Sequence, residues 1–111
     1  MVLEFPVLAG KRDQLRSFAR KLEGEKRLEF EASQRGFGIS KEGWFLREDA
    51  DGDTVVVYVE AEDVAKALGA LVQSKEPVDL WLKQEVAEIT GIDFNNPPRA
   101  TPFQPILLYR Y

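Results

Sequence analysis

Two kinds of apolar spacing alternate along the chain, and they predict a mixture of strands and helices. Residues 2–8 form a short apolar run that ends before Gly10, which is typical of a strand. The next apolar positions follow the i, i+3, i+4, i+7 spacing of an amphipathic helix: Leu15, Phe18, Ala19 and Leu22. The composition of the following residues favours a helix that continues to Gly36 with a kink at Gly24. Apolar and charged residues alternate over 28–32, so a strand is the alternative for that segment.

The strongest local signal is a hairpin at Asp51-Gly52. Strand-like runs flank it at 37–48 and 54–60. Asp-Gly between such runs predicts a type I′ turn, because both central positions then need positive φ. With this turn, Trp44 would lie opposite Val59, Leu46 opposite Val57 and Phe45 opposite Tyr58.

That register divides the hairpin side chains between two faces of a sheet. One face should meet the helices and carries Trp44, Leu46, Val55, Val57 and Val59. The other face is mixed and carries Phe45, Arg47, Val56, Tyr58 and Glu60.

Residues 63–111 predict two helices, an irregular segment and a strand. Asp63 is a suitable N-cap for a helix that ends near Ser74. A second helix follows Pro77 over residues 78–89. Residues 90–105 contain four prolines and predict an irregular segment, and residues 106–111 predict a last strand.

The resulting element order, β-α-β-β-α-(α)-β, predicts an α+β fold in one domain of 111 residues. More specifically, it predicts a ferredoxin-like sandwich: a four-stranded antiparallel sheet with helices on one face.

The amino-acid composition limits which catalytic groups, metal ligands and partners the protein can use. Cysteine and histidine are both absent, so we expect no metal, no cofactor and no thiol nucleophile. A net charge of −4 argues against a nucleic-acid partner. The N-terminal run is neither a signal peptide nor a membrane span, so we expect a cytoplasmic protein.

Several local patterns have ordinary structural explanations. The acidic segment 49–54 lacks the glycine and acid spacing of a calcium loop and is interpreted as a turn. Asp79 and Lys83 have the i, i+4 spacing of a surface ion pair. Trp44 is expected in the core, whereas Trp81 either anchors the proline-rich segment or caps a pocket.

The open sheet face is the candidate for function. Its apolar side chains predict burial against a second copy of the chain, giving a homodimer. The candidate pocket residues are Phe45, Arg47, Tyr58, Glu60 and Tyr109. In one hypothesis Arg47 holds an anionic group while Tyr58 or Glu60 handles a proton; in the other, the same residues form only a dimer interface.

The central part of the chain resembles a family of small uncharacterised proteins in the dimeric α/β-barrel, ferredoxin-like superfamily. The resemblance covers roughly residues 11–80, and these segments carry it: Glu31-Ala32-Ser33-Gln34-Arg35-Gly36, Trp44-Phe45-Leu46-Arg47, Asp51-Gly52-Asp53, Val57-Tyr58-Val59 and Ala61-Glu62-Asp63. Family members often carry a histidine near Pro77-Val78-Asp79, and this chain has none.

The resemblance implies a dimer but not a single activity, because the superfamily includes cofactor-independent monooxygenases, isomerases, haem-degrading enzymes and proteins without known activity. Two functions therefore stay open. The first is a non-catalytic dimeric domain that binds a small ligand or another protein. The alternative is a cofactor-independent, monooxygenase- or isomerase-like enzyme for a small aromatic or anionic molecule in the barrel pocket.

Overall fold

The computed structural model describes residues 1–94, which form three strands and four helices. In chain order these are β1 (Val2–Val7), α1 (Arg12–Glu23), α2 (Arg27–Gly36), β2 (Ile39–Asp49), β3 (Gly52–Ala61), α3 (Val64–Gln73) and α4 (Pro77–Thr90). The predicted α+β class is confirmed.

The described strands form one antiparallel sheet in the order β1-β3-β2. The strand predicted at 106–111, and all but the first residues of the segment predicted as irregular at 90–105, lie outside the described residues. Thr90, the first residue of that segment, belongs to α4. The sheet of residues 1–94 therefore has three strands rather than the four predicted for the whole chain.

The first helical region is two helices and not one kinked helix. Residues on both sides of Gly24 are helical, but the backbone leaves the helix at Gly24, with φ −115° and ψ −104°. The Lys21 carbonyl accepts from the Gly24 and Lys26 amides at 3.3 and 2.8 Å, which closes α1 before α2 begins. The alternative prediction of a strand at 28–32 is wrong, since those residues lie within α2.

The β2–β3 hairpin is present, but its turn and register differ from the prediction. Asp49 pairs with Gly52, so Ala50 and Asp51 form the two-residue loop. Gly52 alone has positive φ there, at +132°, because non-glycine residues avoid that region. The Asp49 carboxylate also accepts from the Ala50 amide at 2.8 Å, which stabilises this turn.

The register consequently shifts by two residues, and this leaves the predicted faces intact. Trp44 lies opposite Val57, Leu46 opposite Val55 and Phe45 opposite Val56. Because strand side chains alternate with a period of two, an even shift keeps each side chain on its predicted face.

The core lies between one face of the sheet and the helices. Its buried members come from β1, β3, α1 and α4: Phe5, Leu15, Phe18, Val55, Val57, Val59, Leu82, Val86 and Ile89. Phe18 of α1 is 1% exposed and contacts Trp44 of β2 and Trp81 of α4, with ring centroids 5.4 and 5.3 Å apart. Trp44 thus packs against the core as predicted, and Trp81 stacks on the same ring.

A buried carboxylate joins three helices. Asp79 of α4 is 2% exposed and accepts from the hydroxyls of Ser33 of α2 and Ser74 at the end of α3, the latter at 2.5 Å. Lys83 instead donates to the carbonyls of Val72 and Ser74 at 3.1 and 2.7 Å. The predicted surface ion pair between Asp79 and Lys83 is therefore wrong, because two hydroxyl donors hold Asp79 inside the protein.

Removing one of these donors should destabilise the fold. We expect Ser33→Ala to lower the free energy of unfolding by about 1–3 kcal/mol, since a charged acceptor would remain buried with one donor fewer. Urea unfolding followed by tryptophan fluorescence measures the loss. Ser40→Ala is the matched control, because the exposed Ser40 hydroxyl donates to the Glu60 carbonyl at 3.2 Å; equal losses in both variants would contradict the prediction.

Candidate functional site

Four of the five predicted site residues lie on one face of the sheet. Phe45 and Arg47 of β2, and Tyr58 and Glu60 of β3, point away from the helices, opposite the buried valines. The fifth, Tyr109, lies outside the described residues.

The polar candidates on this face are engaged with one another or with β1. Arg47 pairs with Glu4 of β1, with Nη1 and Oε1 3.4 Å apart and both side chains about half exposed. The Tyr58 hydroxyl donates to Glu60, and this bond raises the pKa of Tyr58 above its ordinary value of 10. In this arrangement the Tyr58 proton is held more firmly than in free tyrosine.

Phe45, on the edge strand β2, is a large apolar side chain of this face and is 60% exposed. Its ring lies over Gly43, where a Cβ would approach ring atoms to 2.9 Å. Gly43 thus leaves the space that the ring occupies, and Phe45 covers a bare stretch of backbone.

A large groove lies on the other side of β2, between that strand and the first two helices. We call it the Trp44 groove; its volume is about 820 Å³. Its lining is Leu15, Arg16, Phe18, Ala19, Leu22 and Glu23 of α1, Arg27, Phe30 and Glu31 of α2, Glu42, Gly43, Trp44, Phe45 and Leu46 of β2, and Val55 of β3. Of the four predicted site residues within residues 1–94, Phe45 alone belongs to this lining.

Glu42 is the unusual residue of the Trp44 groove. It lies on the helix-facing side of β2, in register with Val59, and is half-buried. Burial raises the pKa of Glu42 from an ordinary 4.5 to about 7, and the neighbouring Trp44 indole opposes part of that rise. At neutral pH this carboxyl is therefore poised between its protonated and ionised forms.

The Trp44 indole nitrogen is also unusual. Nε1 is buried and has no hydrogen-bond acceptor of adequate geometry within residues 1–94. Buried indole N–H groups normally have an acceptor. Glu42 and Trp44 also line a smaller inner cavity of about 40 Å³, so this pair separates the groove from the core.

Both arginines in the lining of the Trp44 groove form ion pairs. Arg27 donates to Glu31 at 3.0 Å within α2. Arg16 donates to Glu48 of β2 at 3.1 Å. Both pairs are exposed, so each contributes little to stability, but they occupy the two guanidinium groups of the lining.

Sequence reasoning missed Glu42, although the alternation of β2 contained the signal. Glu42, Trp44 and Leu46 occupy every second position, so a charged residue shares a face with core aromatic and aliphatic side chains. A carboxylate at such a position either has a partner or changes its pKa. The groove itself depends on how α1 and α2 are placed over the strand.

Comparison of the chain with protein-family models, with curated proteins and with solved structures found no match. The class of this protein therefore follows from its own sequence and structure. None of the helices in residues 1–94 has the length and hydropathy required to cross a bilayer. In the same residues, no three acidic side chains converge as a metal site would require.

The raised pKa of Glu42 predicts a pH dependence of stability. A carboxyl whose folded pKa exceeds its unfolded value binds more protons when folded, so stability falls as pH rises from about 5 to about 8. Glu42→Gln removes this effect, and the variant should gain roughly 2 kcal/mol relative to wild type between pH 5 and pH 8.

Urea unfolding at both pH values measures this difference between the two proteins. Glu62→Gln, which replaces an exposed carboxyl between β3 and α3, is the control and should parallel wild type. A Glu42→Gln curve parallel to wild type would show that Glu42 titrates normally.

Proposed function

We propose that this protein is a non-catalytic, homodimeric domain that binds a small molecule. The observation that carries the proposal is the Trp44 groove, which joins an apolar floor to a half-buried carboxyl and to a buried indole N–H that has no acceptor of adequate geometry within residues 1–94. Small-molecule sites combine these features: a concave, largely apolar surface and a few convergent polar groups.

The composition of the lining supports this role. The apolar part of the lining comes from α1, α2 and β2, with Phe18 and Trp44 at the floor and Leu22 and Phe30 from the helices. The polar groups of Glu42 and Trp44 lie two residues apart on one strand, where the sheet fixes their separation. A bound molecule would therefore meet pre-positioned polar groups.

The fold proposed for the whole chain is the ferredoxin-like sandwich of the dimeric α/β-barrel superfamily. The order β1-β3-β2, with helices on one face, supports it, since this is the arrangement expected of the first three strands. A cytoplasmic location belongs to the same proposal.

The proposed dimer uses the open face of the sheet. Phe45 and its neighbours Val56 and Tyr58 form an apolar centre, and the Arg47–Glu4 pair lies beside it. A face with balanced charge around an apolar centre can pair with its own copy about a two-fold axis. The partner would then cover the Phe45 ring.

Filling the groove should abolish binding. Ala19 lines the groove from α1 and is exposed, so the indole of Ala19→Trp would occupy the space of a ligand. Screening small aromatic fragments by two-dimensional NMR should detect wild-type ligands whose affinity falls at least tenfold in this variant. Ala70→Trp on the exposed side of α3 is the control; equal binding by both variants would place the ligand elsewhere.

A charge at the centre of the open face should dissociate the dimer. We expect wild type to be dimeric at micromolar concentration by light scattering, and Phe45→Glu to be monomeric, because two buried carboxylates would face each other. Leu28→Glu on α2 is the matched control, since Leu28 is exposed by 82%. A monomeric wild type, or dissociation by Leu28→Glu instead, contradicts this interface.

The pKa of Glu42 favours a second candidate function, an isomerase-like enzyme without a cofactor. A carboxylate with a pKa of about 7 is matched to proton transfer at neutral pH. The measurement is exchange of α-protons of small aromatic ketones in heavy water, followed by NMR. Exchange accelerated by wild type but not by Glu42→Gln supports the enzyme, and equal rates with both proteins exclude Glu42 as the base.

A further inference from the structure

The charges around the Trp44 groove are unequal. Among residues 1–94, its lining holds three carboxylates, Glu23, Glu31 and Glu42, against two guanidinium groups. Arg27 is paired with Glu31, and Arg16 is paired with Glu48, which lies outside the lining. Within residues 1–94, Glu23 and Glu42 form no ion pair, so the groove retains negative charge.

The aromatic content of the groove complements this charge. Phe30 of α2 and Trp44 of β2 contribute aromatic side chains to the lining. Phe18 also belongs to the lining, but it is 1% exposed and its ring is stacked on Trp81, whereas the Phe45 ring points to the open face of the sheet. The faces of aromatic rings attract cations, and sites built from several rings and a carboxylate are suited to ammonium groups. An anion would instead meet Glu42 in a site whose arginines are already paired.

We propose that the groove binds an organic cation, an ammonium group on a small aromatic or aliphatic body, with Glu42 as its counter-ion. This inference rests on the proposed function and names its ligand class. The bound cation supplies the positive charge that the surroundings of Glu42 lack, so the ionised carboxylate is favoured once the ligand is present. The Trp44 N–H lies near the same carboxyl and opposes part of the rise in its pKa, but it forms no hydrogen bond of adequate geometry within residues 1–94.

Binding is consequently linked to the protonation of Glu42. Cation binding requires the ionised carboxylate, so below neutral pH the ligand displaces a proton. A quaternary ammonium probe has no titration of its own and isolates this effect. With a Glu42 pKa of about 7, affinity should rise about tenfold from pH 6 to pH 8.

The test uses three probes of similar shape: benzyltrimethylammonium, benzyl alcohol and phenylacetate. The chain has two tryptophans, and Trp44 lines the groove whereas Trp81 does not, so their indole N–H signals form an internal comparison. A Trp44→Phe variant assigns the signals. The ammonium probe should shift the Trp44 signal, with about tenfold higher affinity at pH 8 than at pH 6.

Variants then identify the counter-ion. Glu42→Gln should bind the ammonium probe about tenfold more weakly at pH 8 and show no pH dependence, while Glu62→Gln should behave as wild type. If Glu42→Gln keeps full affinity for the ammonium probe and Glu23→Gln loses it, the assignment of Glu42 as the counter-ion is overturned.

The neutral and anionic probes separate this inference from the proposed function. If phenylacetate or benzyl alcohol shifts the Trp44 signal at least as strongly as the ammonium probe, the groove binds small molecules and the cation inference is overturned. If none of the three probes shifts any groove signal, both proposals fail.

Discussion

The contact of Phe18 with two tryptophans is the interaction on which the described structure depends. One ring of α1 meets Trp44 from the sheet and Trp81 from α4, and the Trp81 ring is stacked on it with an interplanar angle of 16°. Aromatic pairs of this kind contribute beyond the area they bury. Phe18 thereby fixes the distance between α1, α4 and the sheet, and the aliphatic core residues pack within that distance.

The Trp44 groove follows from the same contact. Trp44 packs its ring against Phe18, so its indole nitrogen is buried near Glu42 and away from water. The break after Glu23 ends α1 and allows α2 to line the groove with Arg27 and Phe30. A half-buried carboxyl beside an unpaired N–H lowers stability at neutral pH, and functional sites often retain such groups.

The hairpin illustrates how far local sequence could be used to predict the structure. Asp-Gly flanked by strands predicted the hairpin and both of its faces, but the turn lies one residue earlier and the pairing is shifted by two. Two local features favour the observed turn: the Asp49 carboxylate accepts a hydrogen bond from the Ala50 amide, and Gly52 adopts a positive φ. The two registers present the same apolar faces, so the hydrophobic pattern does not distinguish them.

Asp79 and Glu42 show where local reasoning fails. The i, i+4 spacing of Asp79 and Lys83 is that of a surface pair, yet hydroxyls from two other helices surround the carboxylate. Glu42 falls on the core face of β2, and the pattern shows this, but its pKa depends on the helices that remove water from it. In both cases, partners distant in sequence decide the environment of the charge.

By itself, the sequence determined the α+β class, the Asp63 cap of α3, the helix that follows Pro77 and the division of the hairpin into two faces. These features depend on backbone preferences and on periodicities within a few residues. Only the tertiary structure decided the burial of Asp79, the pairing of Arg47 with Glu4 and the position of the groove. Solvent exclusion and electrostatic pairing depend on residues that the fold brings together from distant parts of the chain.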